Sequence, residues 1–273
     1  MRRIPWIVAA VITISLSCGA NENGKSKPIA TVFGKQIFDT HLEPSAKEKQ
    51  VYRKQFTPKQ YQDWLTGDKP ERLRSLVWNA VFQEYAKQRQ LAPTAQEIES
   101  YIKKQELLLN EAVSEREQQR QKLLTELKSP NVSEDYRRNA QPLLNSLNDL
   151  KNYNDQRLKD LQDPIKKKAL KEAERETAKW WLQNWKINQA LHKEFGGRII
   201  FQQAGWEPID AYRKILEKYE NEKKWIVYDA ALRQAVYNYF EHKFVYLDEK
   251  KAKFYFEKPY WERTKEEMQA AGF

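Results

Sequence analysis

The chain has 273 residues, 40% of them hydrophobic and 32% charged, with 8 Gly, 3 His and a single Cys. That length allows one medium domain or two small ones with a sizeable core, and the 9 Trp, 14 Tyr and 11 Phe exclude a disordered chain. One cysteine excludes a disulfide scaffold, a structural zinc site and an iron–sulfur cluster.

Residues 1–17 read as an export signal: Arg2 and Arg3, an apolar run from Ile4 to Ile14, then Ser15-Leu16-Ser17-Cys18-Gly19-Ala20. The run is shorter than the ~20 residues a membrane-spanning helix needs. Cys18, ahead of a polar linker over 18–27, resembles the lipobox of bacterial lipoproteins, with Ser15 where that motif has Leu. That resemblance implies lipidation of Cys18 and, with Gly19 following, a periplasmic protein anchored to the outer membrane. An ordinary secretory signal with an incidental cysteine is the alternative. Without Arg2 and Arg3 the net charge falls from +10 to +8. Lys and Arg alternate with Asp and Glu, so nucleic acid is not an expected partner. The densest cluster, Lys166-Lys167-Lys168, reads as a solvated helix face with i,i+4 ion pairs.

Residues 28–273 read as one all-α domain opened by a small β-hairpin, Ile29 to Phe38, that alternates apolar and polar residues around Gly34. Between Gly67 and Gly196 there is no glycine and helix formers dominate, so the interval is mostly helix. Prolines at 70, 93, 130, 142 and 164 mark its starts and joints. After Pro70, Leu73, Leu76, Val77, Ala80, Val81 and Tyr85 trace one apolar stripe. Thr94 and Glu97 form a capping box that opens the next helix. Residues 94–162 read as a long antiparallel helical hairpin turning near Ser129-Pro130-Asn131. Its polar stretch from Asn110 to Gln121 is expected in solvent or against a single neighbour, and Leu143, Leu144, Leu147, Leu150 and Leu158 are expected to line its apolar side. From Pro164 a helix carrying Trp181 and Trp185 runs to Gly196-Gly197. Residues 196–273 hold a short strand or connector at Arg198–Phe201, a helix after Glu207-Pro208, another from Asp229, and an aromatic tail readable as two strands or as a strap.

The strand-turn-strand Ala30-Thr31-Val32-Phe33-Gly34, the junction Ala92-Pro93-Thr94-Ala95-Gln96-Glu97-Ile98 and the later Gly205-Trp206-Glu207-Pro208-Ile209-Asp210-Ala211-Tyr212-Arg213 resemble, in that order, the N-terminal domains of SurA and related parvulin-type foldases. Phe33 stands where that family has Asn, and the roughly 100 residues between the matching regions are longer than the family's. The resemblance implies a helical chaperone-like domain that holds unfolded or extended envelope polypeptides in an apolar groove. The glycines and the His/Cys/Asp set of a parvulin catalytic domain are missing, so prolyl isomerase activity is not expected.

The residues themselves select no other chemistry. His41, His192 and His242 are scattered, the acidic pairs Asp248-Glu249 and Glu266-Glu267 sit in solvated runs, and no catalytic fingerprint, cofactor or metal motif is present. The expected groove lies between the 71–92 helix, the 205–240 helices and the tail, with Phe82, Tyr85, Trp206 and Tyr212 as its candidate lining; each of the four also suits a core position. Two other readings stand beside this one. A polar, unpaired hairpin tip without a groove points to an assembly lipoprotein, and a pocket with two perturbed carboxylates points to an enzyme acting on envelope glycans.

Overall fold

The computed structural model describes residues 27–202 and 205–272, so the leader and Cys18 lie outside the described residues. The fold is mainly helical, with ten α-helices among the described residues. Strands β1 (Ala30–Val32) and β2 (Lys35–Ile37) pair antiparallel through a two-residue turn. Both turn residues have positive φ, +47° at Phe33 and +77° at Gly34, the geometry that matches strand twist in tight hairpins. Phe33 holds that conformation because its ring packs edge-on to Tyr219, centroids 5.5 Å apart, and its N–H donates to Lys224 O at 2.6 Å.

Helices α1 (Ala46–Gln55) and α2 (Pro58–Gly67) follow, opened by the capping boxes Ser45/Glu48 and Thr57/Gln60. Helix α3 (Lys69–Gln88) buries the anticipated stripe: Leu73, Val77 and Val81 are fully inaccessible and Tyr85 nearly so. Helix α4 (Ala95–Lys128) starts at the Thr94/Glu97 box and turns at 129–133 into the antiparallel α5 (Glu134–Asp160). Arg137 of α5 caps the preceding helix, donating to Leu127 O at 2.6 Å and Ser129 O at 2.7 Å.

The two halves of α4 have different neighbours. Its first turns place Ile98, Tyr101 and Ile102 on Ala178, Leu182 and Trp185 of α6 (Pro164–Phe195), with Trp261 of the tail beside them. Its last turns place Leu123 and Leu127 on Ala140 and Leu147 of α5. The polar stretch between these contacts also meets the tail: Lys265 pairs with Glu111 at 3.1 Å and Glu115 at 3.2 Å. Two sequence expectations change here. Pro142 lies inside α5 rather than at a joint, and of the five leucines only Leu144 and Leu147 are buried, while Leu143, Leu150 and Leu158 are 40–50% exposed. A face paired with one helix covers only part of a wide apolar stripe.

Helix α6 ends at Gly196, and Gly197 follows with φ +98°. A Cβ there would lie 2.5 Å from that of Asp210, which takes the Arg198 backbone N–H and both guanidinium nitrogens at 2.8–2.9 Å. Strands β3 (Ile200–Gln202) and β4 (Gly205–Glu207) form a second small sheet. Helix α7 (Ile209–Asn221) leads to β5 (Trp225–Val227), which pairs with β1, and then to α8 (Ala230–Tyr237). The tail is a helical strap, α9 (Glu249–Glu257) and α10 (Lys265–Ala270), joined to β3 by a single bridge between Ile200 and Tyr246. Among the described residues no helix is long and apolar enough to cross a membrane.

The main core gathers α3, α6, α7, α8 and the first sheet around Leu73, Val77, Leu191, Ile215, Leu216 and Trp225. Trp225 is inaccessible, and its indole N–H donates to Leu216 O at 3.1 Å. Trp225→Ala is expected to cost about 3–5 kcal/mol of stability, the range for emptying a large aromatic site, read as the shift of the urea unfolding midpoint at unchanged slope.

Candidate functional site

Between the 71–92 helix, the 205–240 helices and the tail, where the sequence placed a groove, the candidate tyrosines are enclosed by their own neighbours. Tyr85 is 2% exposed and donates to Glu194 Oε2 at 3.0 Å; Tyr212 is buried and donates to Asn188 Oδ1 at 2.6 Å. Phe82 packs on Tyr212, ring centroids 4.7 Å apart, and stays partly buried beside the core. Trp206 is also buried but lies elsewhere, in a separate cluster with Ile199, Ala252 and Phe256. The four residues thus line no common groove, and Cys18 lies outside the described residues.

An open aromatic cleft of about 480 Å³ occurs instead between α6, the β3–β4 sheet and the strap. Trp181 of α6, Phe201 of β3 and Trp206 of β4 line it together with Leu247, Phe254, Tyr255, Tyr260 and Met268 of the tail. Trp206 and Tyr255 stack at 4.7 Å with their planes 21° apart, and Phe201 meets Trp206 edge-on at 5.7 Å. Burial pushes the Tyr255 phenol far above its ordinary range, opposed by a backbone hydrogen bond from Trp206. Gly205 lines the cleft with φ +108°, a conformation that favours glycine, and Tyr255 Oη and the Trp181 ring would lie at ordinary contact distance from a Cβ there, 3.4 and 3.7 Å.

The wall positions follow from buried polar contacts. Asn188 Nδ2 donates to Trp206 O at 3.0 Å and thereby registers β4 on α6, while Gln189 Nε2 donates to Phe256 O at 2.5 Å and holds the strap. Arg263 braces the strap from within, donating from Nε to Lys258 O at 3.0 Å and from Nη2 to Phe254 O, with its guanidinium 3.5 Å over the Phe254 ring. Lys251 and Arg263 are the charged groups of the lining, and no carboxylate stands among its described residues.

Compared with protein-family models, curated proteins and solved structures, the chain matches none. The geometry of its surface therefore carries what can be said of its function.

Two smaller hollows lie elsewhere on the described residues. One, about 430 Å³ and of mixed polar and apolar lining, lies where Lys186 of α6 pairs with Glu97 of α4. The other, about 300 Å³, holds Arg74, Trp78, Phe82, Glu207 and Tyr239. Burial raises the Glu207 carboxyl above the ordinary range, against the Tyr239 hydroxyl that donates to it at 2.9 Å and the nearby Arg74 charge. Arg74 itself lies over the Trp78 and Tyr239 rings at 5.7 and 5.2 Å. Glu207 is a single raised carboxyl with no second carboxylate in its hollow. Among the described residues no group of three His, Cys, Asp or Glu is placed to hold a metal ion.

Phe201, Phe254, Tyr255 and Met268 were not singled out from the sequence. The density of Phe and Tyr after Lys243 was the available signal, but aromatic density does not say which rings stay uncovered.

Glu207 yields a pH prediction. Its carboxyl is raised in the folded state, so the stability from its protonated form is present below the unfolded value near 4.5 and is lost as pH rises through the folded value. Glu207→Gln, which cannot ionise and keeps an acceptor for Tyr239, is expected to raise the thermal midpoint relative to the parent near neutrality. That gain should vanish by about pH 4, as read by unfolding scans across the acid range.

Proposed function

We propose that the chain is an exported, lipid-anchored, non-catalytic chaperone-like protein that binds unfolded or extended polypeptides of the cell envelope. The observation that carries this reading is the uncovered aromatic cleft, with Phe201 63% exposed on its lip. Protein interiors close over side chains of this kind, and a concave, largely aromatic surface left open in a folded chain is characteristic of a binding site. An apolar side chain moved from water onto rings such as Phe201, Trp206 and Phe254 gains roughly 1.5–3 kcal/mol, enough for reversible capture when several segments of a client take part in turn. The basic, heavily charged exterior keeps the carrier soluble while it holds such segments.

The leader and Cys18 supply the envelope location and the anchor in this reading, with the periplasmic face of the outer membrane as the site of action. The resemblance to SurA-type N-terminal domains supports the same class of client. The proposed contact surface is the strap and β3–β4, however, rather than the 71–92 helix. No acid/base pair enters the proposal because the cleft walls are apolar and cationic.

A second reading draws on the hairpin. Tyr136, Leu143 and Leu150 of α5 are each 40–43% exposed on one stripe, which suits an assembly lipoprotein that docks a single envelope partner along α5.

The two readings separate in one experiment. The protein is expected to suppress aggregation of an unfolded outer-membrane polypeptide without accelerating prolyl isomerisation. Phe201→Glu, placed on an exposed side chain, should weaken binding of a fluorescent apolar peptide about tenfold, a loss of roughly 1.4 kcal/mol. Aggregation unchanged by the parent, or equal peptide affinity in parent and variant, overturns the cleft reading. Loss of capture only in Leu143→Asp and Leu150→Asp transfers the function to the hairpin.

A further inference from the structure

The joint between α5 and α6 carries an apolar and basic surface that the cleft does not use. Ile165, in the first turn of α6, is 82% exposed, the second highest value among the large exposed apolar side chains, and Leu158 across the joint is 50% exposed. This exposure belongs to a braced turn. Asp163 accepts from the backbone N–H of Ile165 at 2.9 Å and of Lys166 at 3.2 Å; Lys166 reaches back to Asp160 at 2.8 Å; Arg157 pairs with Glu174 at 3.0 Å. The turn therefore holds Ile165 outward.

Lysines follow it along the first turns of α6, and one precedes it at the end of α5. Lys159, Lys166, Lys167 and Lys168 are all exposed. The i,i+4 ion pairs expected from the sequence for this cluster do not form: Lys166 pairs with Asp160, while Lys159, Lys167 and Lys168 make no ion pair among the described residues. Of the nearby carboxylates, Asp160 pairs with Lys166, Asp163 accepts from backbone N–H groups and keeps its charge, and Glu172, one turn beyond Lys168, makes no ion pair among the described residues. A net positive charge thus accompanies a protruding aliphatic side chain: residues 157–172 carry six basic and three acidic side chains.

We infer that this joint docks on an anionic lipid surface, with Ile165 and Leu158 entering the headgroup layer and the lysines lying over acidic headgroups. Charge complementarity argues for the occupant: basic groups flanking a small apolar protrusion are the chemistry of interfacial membrane contact, worth about fivefold in partitioning per lysine. The form of the surface argues for a fluid partner over a fixed one. The joint lines none of the hollows described above, and unpaired lysines are flexible point charges without the directional fork that suits a folded acidic epitope. The inference is independent of the cleft. Beside a lipidated Cys18 it gives the chain a second contact with the bilayer.

The test uses the full chain with Cys18→Ser, which removes both the acyl acceptor and the native thiol. Ile165→Cys in that background is labelled with nitrobenzoxadiazole, and Lys35→Cys on exposed β2 provides the control label. Vesicles are phosphatidylcholine alone or mixed equally with phosphatidylglycerol. The label at 165 is expected to brighten and shift to the blue only with the mixed vesicles, in a salt-sensitive manner, while the label at 35 stays unchanged. Replacing the unpaired Lys159, Lys167 and Lys168 by Gln should lower partitioning about a hundredfold with unfolding unaltered. The inference is overturned by no response at 165, by equal responses at 165 and 35, by an equal response with phosphatidylcholine alone, or by saturation of the 165 label with soluble polyglutamate, which would make the partner an acidic protein.

Discussion

The carboxamide of Asn188 is the contact on which the placement of the open surface depends. It is buried in the middle of the apolar contacts of α6, and it satisfies both ends, accepting from Tyr212 of α7 and donating to the Trp206 carbonyl of β4. A buried amide left without partners costs about 1–3 kcal/mol, so α7 and β4 have one favourable register against α6. That register seals Tyr212 inside and turns the Trp206 indole toward the strap. Gln189, one residue on, fixes the strap on the same helix through Phe256.

Helix α6 consequently serves three regions at once. Its last turns enter the main core through Ile187 and Leu191, its middle supports the cleft through Trp181 and the first half of α4 through Leu182 and Trp185, and its first turn projects Ile165 and the lysine cluster. A helix of 32 residues spans nearly 50 Å, more than one core of this size can cover. Its far end is therefore left to the hairpin and to solvent. Several of the apolar groups that remain uncovered fall where this geometry runs short of partners: Leu143 and Leu150 along α5, Leu158 and Ile165 at the α5–α6 joint, and Phe201 between β3–β4 and the strap. Leu73, Val77 and Val81 of α3 are fully enclosed, because α6, α7, α8 and the first sheet surround them.

The ion pairs surrounding these regions play a lesser part. Most lie on exposed side chains, where a pair contributes about 0–1 kcal/mol. Those that matter for shape close a specific geometry: Arg198 with Asp210 at the glycine pair that ends α6, Arg157 with Glu174 across the joint, and Lys265 with Glu111 and Glu115, which ties the end of the strap to α4. The last of these gives the polar middle of α4 a neighbour that its own composition does not suggest.

By itself the sequence determined the helices, because the signals are local. Thr94 with Glu97, Pro164, Gly196 and the four-residue spacing of Leu73, Val77, Val81 and Tyr85 act within one or two turns, and α3, α4, α5 and α6 begin and end close to where they indicate. Ser45 with Glu48 and Thr57 with Gln60 carry the same local signal for α1 and α2. Which apolar groups stay open was decided only by tertiary structure. Tyr85 and Tyr212 look no different in sequence from Tyr255, yet the first two are enclosed by elements distant along the chain while the third lines a cleft. The same holds for Leu147 against Leu143, and for Pro142, whose place inside α5 became clear only in the folded helix. Burial depends on which surfaces meet, and that depends on contacts such as Asn188 with Trp206 that no local pattern encodes.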